Sequence, residues 1–138
     1  MKTGVDIVDV IIERISVPSV TDVLGSSSIF PDTSPDNFTA DRIVVNSLPV
    51  SGGQLQTAVI NINVCVKNLK LKIAGQPDNS QPDRKRLNEI AKPILEILED
   101  AIISGIVTEI DNIAIYPDKE VKEHFLNIRV RIYSANLK

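Results

Sequence analysis

The sequence predicts an α+β fold, a mainly antiparallel sheet of about four or five strands with two main helices packed on one face. Three observations carry this. Residues 5–15 and 87–102 place apolar side chains at helical spacing. Residues 57–67 and 126–133 alternate apolar and polar with period two. Stretches rich in Gly, Pro, Ser and Asp separate these elements.

Thr3 caps the first helix, with Asp6 in its first turn, where a carboxylate suits the helix dipole. Val5, Val8, Ile11, Ile12 and Ile15 form its apolar stripe, and Asp6, Asp9, Glu13 and Arg14 mostly take the other side. Val17–Pro18 ends it, because a residue before proline avoids the helical region. Residues 19–25 read as one short turn. Residues 26–39 read as a loop, with a brief strand at Ile29–Phe30.

Residues 42–48 read as a strand centred on the β-branched Ile43, Val44 and Val45, with Pro49 ending it or marking an edge. Ser51–Gly52–Gly53 is a turn. In the next strand Ala58, Ile60, Ile62, Val64 and Val66 share one face, and Val59, Asn61, Asn63, Cys65 and Lys67 the other. The two strands form an antiparallel hairpin. Leu69, Leu71 and Ile73 alternate with Lys70 and Lys72, so the strand continues or restarts before a polar loop at 75–82.

Asp83 or Ser80 caps the second helix, whose stripe is Leu87, Ile90, Ala91, Ile94, Leu98, Ala101 and Ile102. Pro93 kinks this helix or starts a second segment, and Gly105 stops it. Residues 106–116 form a strand carrying Ile110, Ile113 and Ile115, with a break at Asp111–Asn112. A charged turn runs from Pro117 to Glu123. In the last strand Leu126, Ile128, Val130 and Ile132 face one way, and Asn127, Arg129, Arg131 and Tyr133 the other.

The 138 residues fit a single domain, 1–138, with an aliphatic core, since 43% are apolar and few are aromatic. The net charge of −3, with both signs interspersed, argues against a dedicated nucleic-acid surface and gives no support for anionic lipid. One cysteine excludes an intramolecular disulfide and fits a reducing compartment. Charges interrupt residues 1–16, so they do not read as a signal peptide, and no apolar run reaches membrane-helix length. The expectation is a soluble protein.

The chemistry-bearing residues are sparse. His124, the one histidine, reads as an exposed residue at a strand start instead of a general base. Cys65 lies on the polar face of its strand and reads as an ordinary free thiol. One Cys and one His do not make a zinc site. Asp6, Asp9 and Glu13, like Glu96, Glu99 and Asp100, fit solvated helix faces. Ser51–Gly52–Gly53 is too short to cradle phosphate, and Asp83–Arg84–Lys85–Arg86 is a small basic cluster at a helix start. No catalytic residue, metal or cofactor is expected.

The strands' polar faces are more informative. Asn61, Asn63 and Lys67, with Arg129, Arg131 and Tyr133, form either a plain solvent face or a subunit interface, since Arg and Tyr are enriched at interfaces. The segments 26–39 and 75–82 fit arms that order on assembly.

The order of elements resembles that of the tail-completion or tail-terminator proteins of long-tailed bacteriophages and prophages. An aliphatic helix (residues 5–15) precedes a Ser/Pro-bearing stretch and a strand at Ile43, Val44 and Val45. The long alternating strand at 57–66, one amphipathic helix at 87–102 and a hairpin ending at 125–132 follow. The likeness spans nearly the whole chain in order and pattern, and no catalytic motif is among its features. It implies a homo-oligomeric ring, typically a hexamer, in the tail–neck region of a virion assembled in the host cytoplasm. Such a ring stops tail-tube polymerisation and docks the head connector. Its partners are copies of itself, the tail tube protein and the connector or neck protein, with no membrane and no sequence-specific nucleic acid. Segments 26–39 and 67–82 depart from the pattern and leave open another head–tail connector or neck protein. A small bacterial ligand-binding α+β domain is the rival from another class, and predicts a deep pocket beside His124 or Cys65.

Overall fold

The computed structural model describes residues 3–25, 28–48, 57–103 and 105–134. The chain begins with α1 (Gly4–Ile15) and α2 (Pro18–Leu24), then β1 (Ile29–Pro31), β2 (Arg42–Ser47) and β3 (Thr57–Lys67). A short ribbon of β4 (Leu71–Ile73) and β5 (Gln76–Asp78) follows, then α3 (Arg84–Leu98), β6 (Ile102–Ile103), β7 (Ile106–Asp118) and β8 (Glu123–Ser134). β4 and β5 form a two-stranded sheet; the other strands form a six-stranded sheet in the order β1-β2-β3-β8-β7-β6.

This corrects the expected fold class. The described residues are mainly β. The principal sheet has six strands instead of four or five, and it is mixed, because β1 runs parallel to β2. Three helices accompany it instead of two. Short elements account for the difference. β1 and α2 are set by partners distant in sequence and β6 is only two residues long, so periodicity over two to seven residues cannot reveal them.

Local chemistry explains the helices. Thr3 and Asp6 form a reciprocal capping box on α1: the Thr3 hydroxyl accepts from the Asp6 amide, and the Asp6 carboxylate accepts from the Thr3 amide. Ile7, Val8, Ile11 and Ile15 are buried, whereas Val5, expected in the stripe, is 66% exposed. Residues 19–25 are no single turn. Pro18, read as a stop, also starts α2 at its first position, and Gly25, at φ +87°, closes it.

In α3 the Asp83 carboxylate caps the Arg86 amide, and the helix runs continuously through Pro93. It ends at Leu98, earlier than its apolar pattern suggested. Ala101 lies outside it, Ile102 belongs to β6 and is 76% exposed, and Gly105 follows β6 instead of stopping a helix. Thr108 holds this exit, its buried hydroxyl donating to the Leu98 carbonyl at 2.6 Å.

The helical stripes share one hydrophobic cluster with Ile43 and Val45 of β2, the even-numbered apolar residues of β3, and Leu126, Ile128, Val130 and Ile132 of β8. Each fully buried Ile or Leu there contributes roughly 1.5–3 kcal/mol. β2 pairs antiparallel with β3, as expected; the connecting Ser51–Gly52–Gly53 and Pro49 lie outside the described residues. The break at Asp111–Asn112 is a β-bulge in one continuous strand, with the register against β8 shifting between Ile110 and Asn112. One extra residue switches the strand's faces. Ile110 and Ile113 therefore share the core side although they stand three positions apart.

Candidate functional site

The polar side of the β2–β3–β8–β7 sheet gathers all six residues expected at an interface. Registry sets Asn61 opposite Arg129, Asn63 opposite Asn127, and Lys67 opposite Glu123. Arg131 and Tyr133 face Val59 and Thr57. Period-two pleating puts these side chains on one surface, away from the aliphatic cluster.

Half of that surface is a built network. Asn127 Nδ2 donates to Asn63 Oδ1 at 2.7 Å and to Asn61 Oδ1 at 3.3 Å, and Asn61 Nδ2 donates to Asn46 Oδ1 at 3.3 Å. Four amides thus link β2, β3 and β8. Pairing is needed because Asn127 is buried, and an unmet buried amide costs about 1–3 kcal/mol. Nearby, Tyr133 donates to Glu109 at 3.4 Å and Arg131 meets Asp111 at 3.3 Å. Tyr133 and Asp111 hold the Arg131 guanidinium above its ordinary pKa. Arg129 and Lys67 are exposed and have no ion-pair partner among the described residues.

Sequence reasoning missed the strongest contact on this face. Arg42 on β2 reaches across β3 to Glu123 on β8. In the sequence Glu123 reads as the end of a charged turn, where nothing in its neighbourhood marks it for burial. Hydrogen bonding to Glu123 raises the Arg42 pKa despite burial. Cys65 sits in the same region; desolvation pushes its thiol up to about 11, so it is no activated nucleophile.

His124 and Cys65 do not converge. Cys65 pairs with Phe125 and Val66 with His124, so adjacent positions direct them to opposite faces. The His124 Nδ1 lies 2.6 Å from Asn68 Oδ1, beside a hollow of about 150 Å³ that Lys119 and Lys122 also line. That is below the roughly 300 Å³ at which small-molecule sites begin. Among the described residues, no group of three or more His, Cys, Asp or Glu gathers as a metal site would require. Asp6, Asp9, Glu13, Glu96, Glu99 and Asp100 all lie exposed. Of the basic cluster, Arg86 is structural, bonding Asp41 at 2.7 Å, while Arg84 and Lys85 are exposed. No described helix is long and apolar enough to cross a membrane.

No family model matches the chain, and no curated protein matches it in sequence. Among solved structures, it is similar to a chain of the "Virion of native gene transfer agent (GTA) particle", with a TM-score of 0.60 and 10% identity. The match covers 91% of this chain and 92% of that one. The likeness is one of fold. It extends over almost the full length of both chains.

Proposed function

We propose that the chain is a structural protein of a phage-like virion and, within that class, a tail terminator. Copies close into a ring, typically a hexamer, that ends tail-tube growth and offers the head connector a docking surface. The observation that carries this reading is the shared fold, over 91% of this chain, with a component of a gene transfer agent virion. Two features support it. The polar sheet face is pre-ordered by its amide network yet presents exposed Arg129, Arg131 and Lys67. Among the described residues no strand pairs with the outer edge of β7 beyond Val107, which suits contact between copies. In such a ring each copy meets the next through two different surfaces, and rotation closes the series. The role is mechanical, with no cofactor and no turnover.

Sedimentation of the purified protein tests this. A closed species of about six chains, able to cap isolated tail tubes, is expected. A chain that stays monomeric at high concentration and binds neither tube nor connector would rule the reading out. Rings found elsewhere in the neck would make it a connector component instead of the terminator.

A further inference from the structure

β7 is thirteen residues long, yet β6 pairs only with its Ile106 and Val107. Beyond Val107 no described strand lies along its outer side, so a row of backbone donors and acceptors faces outward. Ile113 and Tyr116 on this stretch are each 45% exposed. The acids Glu109, Asp111 and Asp118 flank them.

The β4–β5 ribbon has the opposite character. Among the described residues β4 pairs only with β5, and no other strand lies along its outer edge. Leu71 is 39% exposed and Ile73 is 49% exposed, with Lys70 and Lys72 interleaved. A lone two-stranded ribbon is marginal in water, and exposed apolar side chains on it point to a partner.

We propose that the ribbon of one copy docks along the open edge of β7 in the next, so that β4 extends the six-stranded sheet. Pleating makes the match specific. On β7, Ile113 and Ile115 project on the core side, while Asp118, and Glu109 before the bulge, project on the polar side. On β4, Leu71 and Ile73 share one side and Lys72 the other, with Lys70 just before the strand. An added antiparallel strand therefore sets Ile73 beside Ile113 and Leu71 beside Ile115, and leads Lys70, just before β4, to Tyr116, within diagonal reach of Asp118. β7 against β7 is disfavoured, because it would bring acids together and Pro117 lacks an amide hydrogen. The contact joins two different surfaces, so it propagates from copy to copy; its closure into a ring rests on the function proposed above.

The test uses Leu71→Asp, which spoils the ribbon, and Ile113→Asp, which spoils the edge. Each variant alone is expected to sediment as single chains while keeping the wild-type circular dichroism spectrum. Mixed one to one, the intact ribbon of one meets the intact edge of the other and yields a species of two chains. A second pair covers loss of folding. Lys70→Glu weakens association by about two- to fivefold, and adding Asp118→Lys restores it. Variants that still form the wild-type assembly overturn this contact and leave the ring standing. A mixture that stays monomeric, or charge reversals without rescue, also overturn it. A monomeric wild type removes the ring reading itself.

Discussion

Arg42 and Glu123 stand 81 positions apart in the chain and meet through two parallel hydrogen bonds, both 2.9 Å, from the guanidinium to the carboxylate. Their side chains are only 12% and 6% exposed. The pair spans β3 and ties β2 to β8, so it senses whether three strands are in register. Glu123→Ala leaves a buried cation unmatched and is expected to cost about 3–5 kcal/mol. Replacing both residues, Arg42→Met with Glu123→Leu, is expected to cost far less. Urea denaturation of the two singles and the double measures the coupling; additive losses would mean that the pair contributes no specific interaction.

Thr108 closes the exit of α3. Its hydroxyl donates to Leu98 O at 2.6 Å while its own amide donates to Ala101 O at 2.9 Å. Thr108→Val keeps the shape and removes the donor. A loss of about 1–2 kcal/mol is expected, with faster hydrogen exchange at the end of α3.

Burial sets the behaviour of Cys65. Its pKa is raised from 9.0 to about 11 by desolvation, with Arg42 opposing and Glu123 reinforcing the rise. A raised folded pKa favours folding below the unfolded value and loses that advantage as pH climbs through the folded one. Stability is therefore expected to fall between pH 9 and about 11 more steeply than in Cys65→Ser. Iodoacetamide at pH 9 should label the native thiol more slowly than the unfolded one. Equal labelling rates would contradict the burial argument.

The turn of the ribbon contains an improvable position. Ala74 and Gly75 both have positive φ, +52° and +79°, the left-handed region that suits Gly and Asn. Ala74→Asn creates an Asn–Gly turn and is expected to stabilise the ribbon by about 0.5–1 kcal/mol. Slower amide exchange in β4 and β5 is the readout.

Much of this architecture was legible wherever one residue's neighbours in sequence are also its neighbours in space. Thr3 and Asp6 announced α1. The alternation of Ala58 to Val66 and of Leu126 to Ile132 announced β3 and β8. The three-residue step from Ile110 to Ile113 carried the bulge, although it was read as a break. Legibility ended where the deciding partner is remote. The parallel seat of β1 depends on Ile43 to Val45, while β6, whose partners Ile106 and Val107 are close by, is too short at two residues to show a period. The six polar residues of the sheet face were named from pattern alone, but the Asn46–Asn61–Asn127–Asn63 linkage and the Arg42–Glu123 bridge needed the strand order. Pattern gives a face; only register says who meets whom on it.

The bulge at Asp111 also limits how this chain can change length. Because Asp111 is the extra residue against β8, dropping it would leave Ile110, Asn112 and Ile113 in plain alternation, with Ile113 and Ile115 still on the core side and Asn112 and Ala114 still on the polar side. Single-residue gains or losses elsewhere along β7 would turn over every position beyond them, whereas paired ones preserve orientation. Such a strand changes length by twos along its ladder and by one only at its bulge.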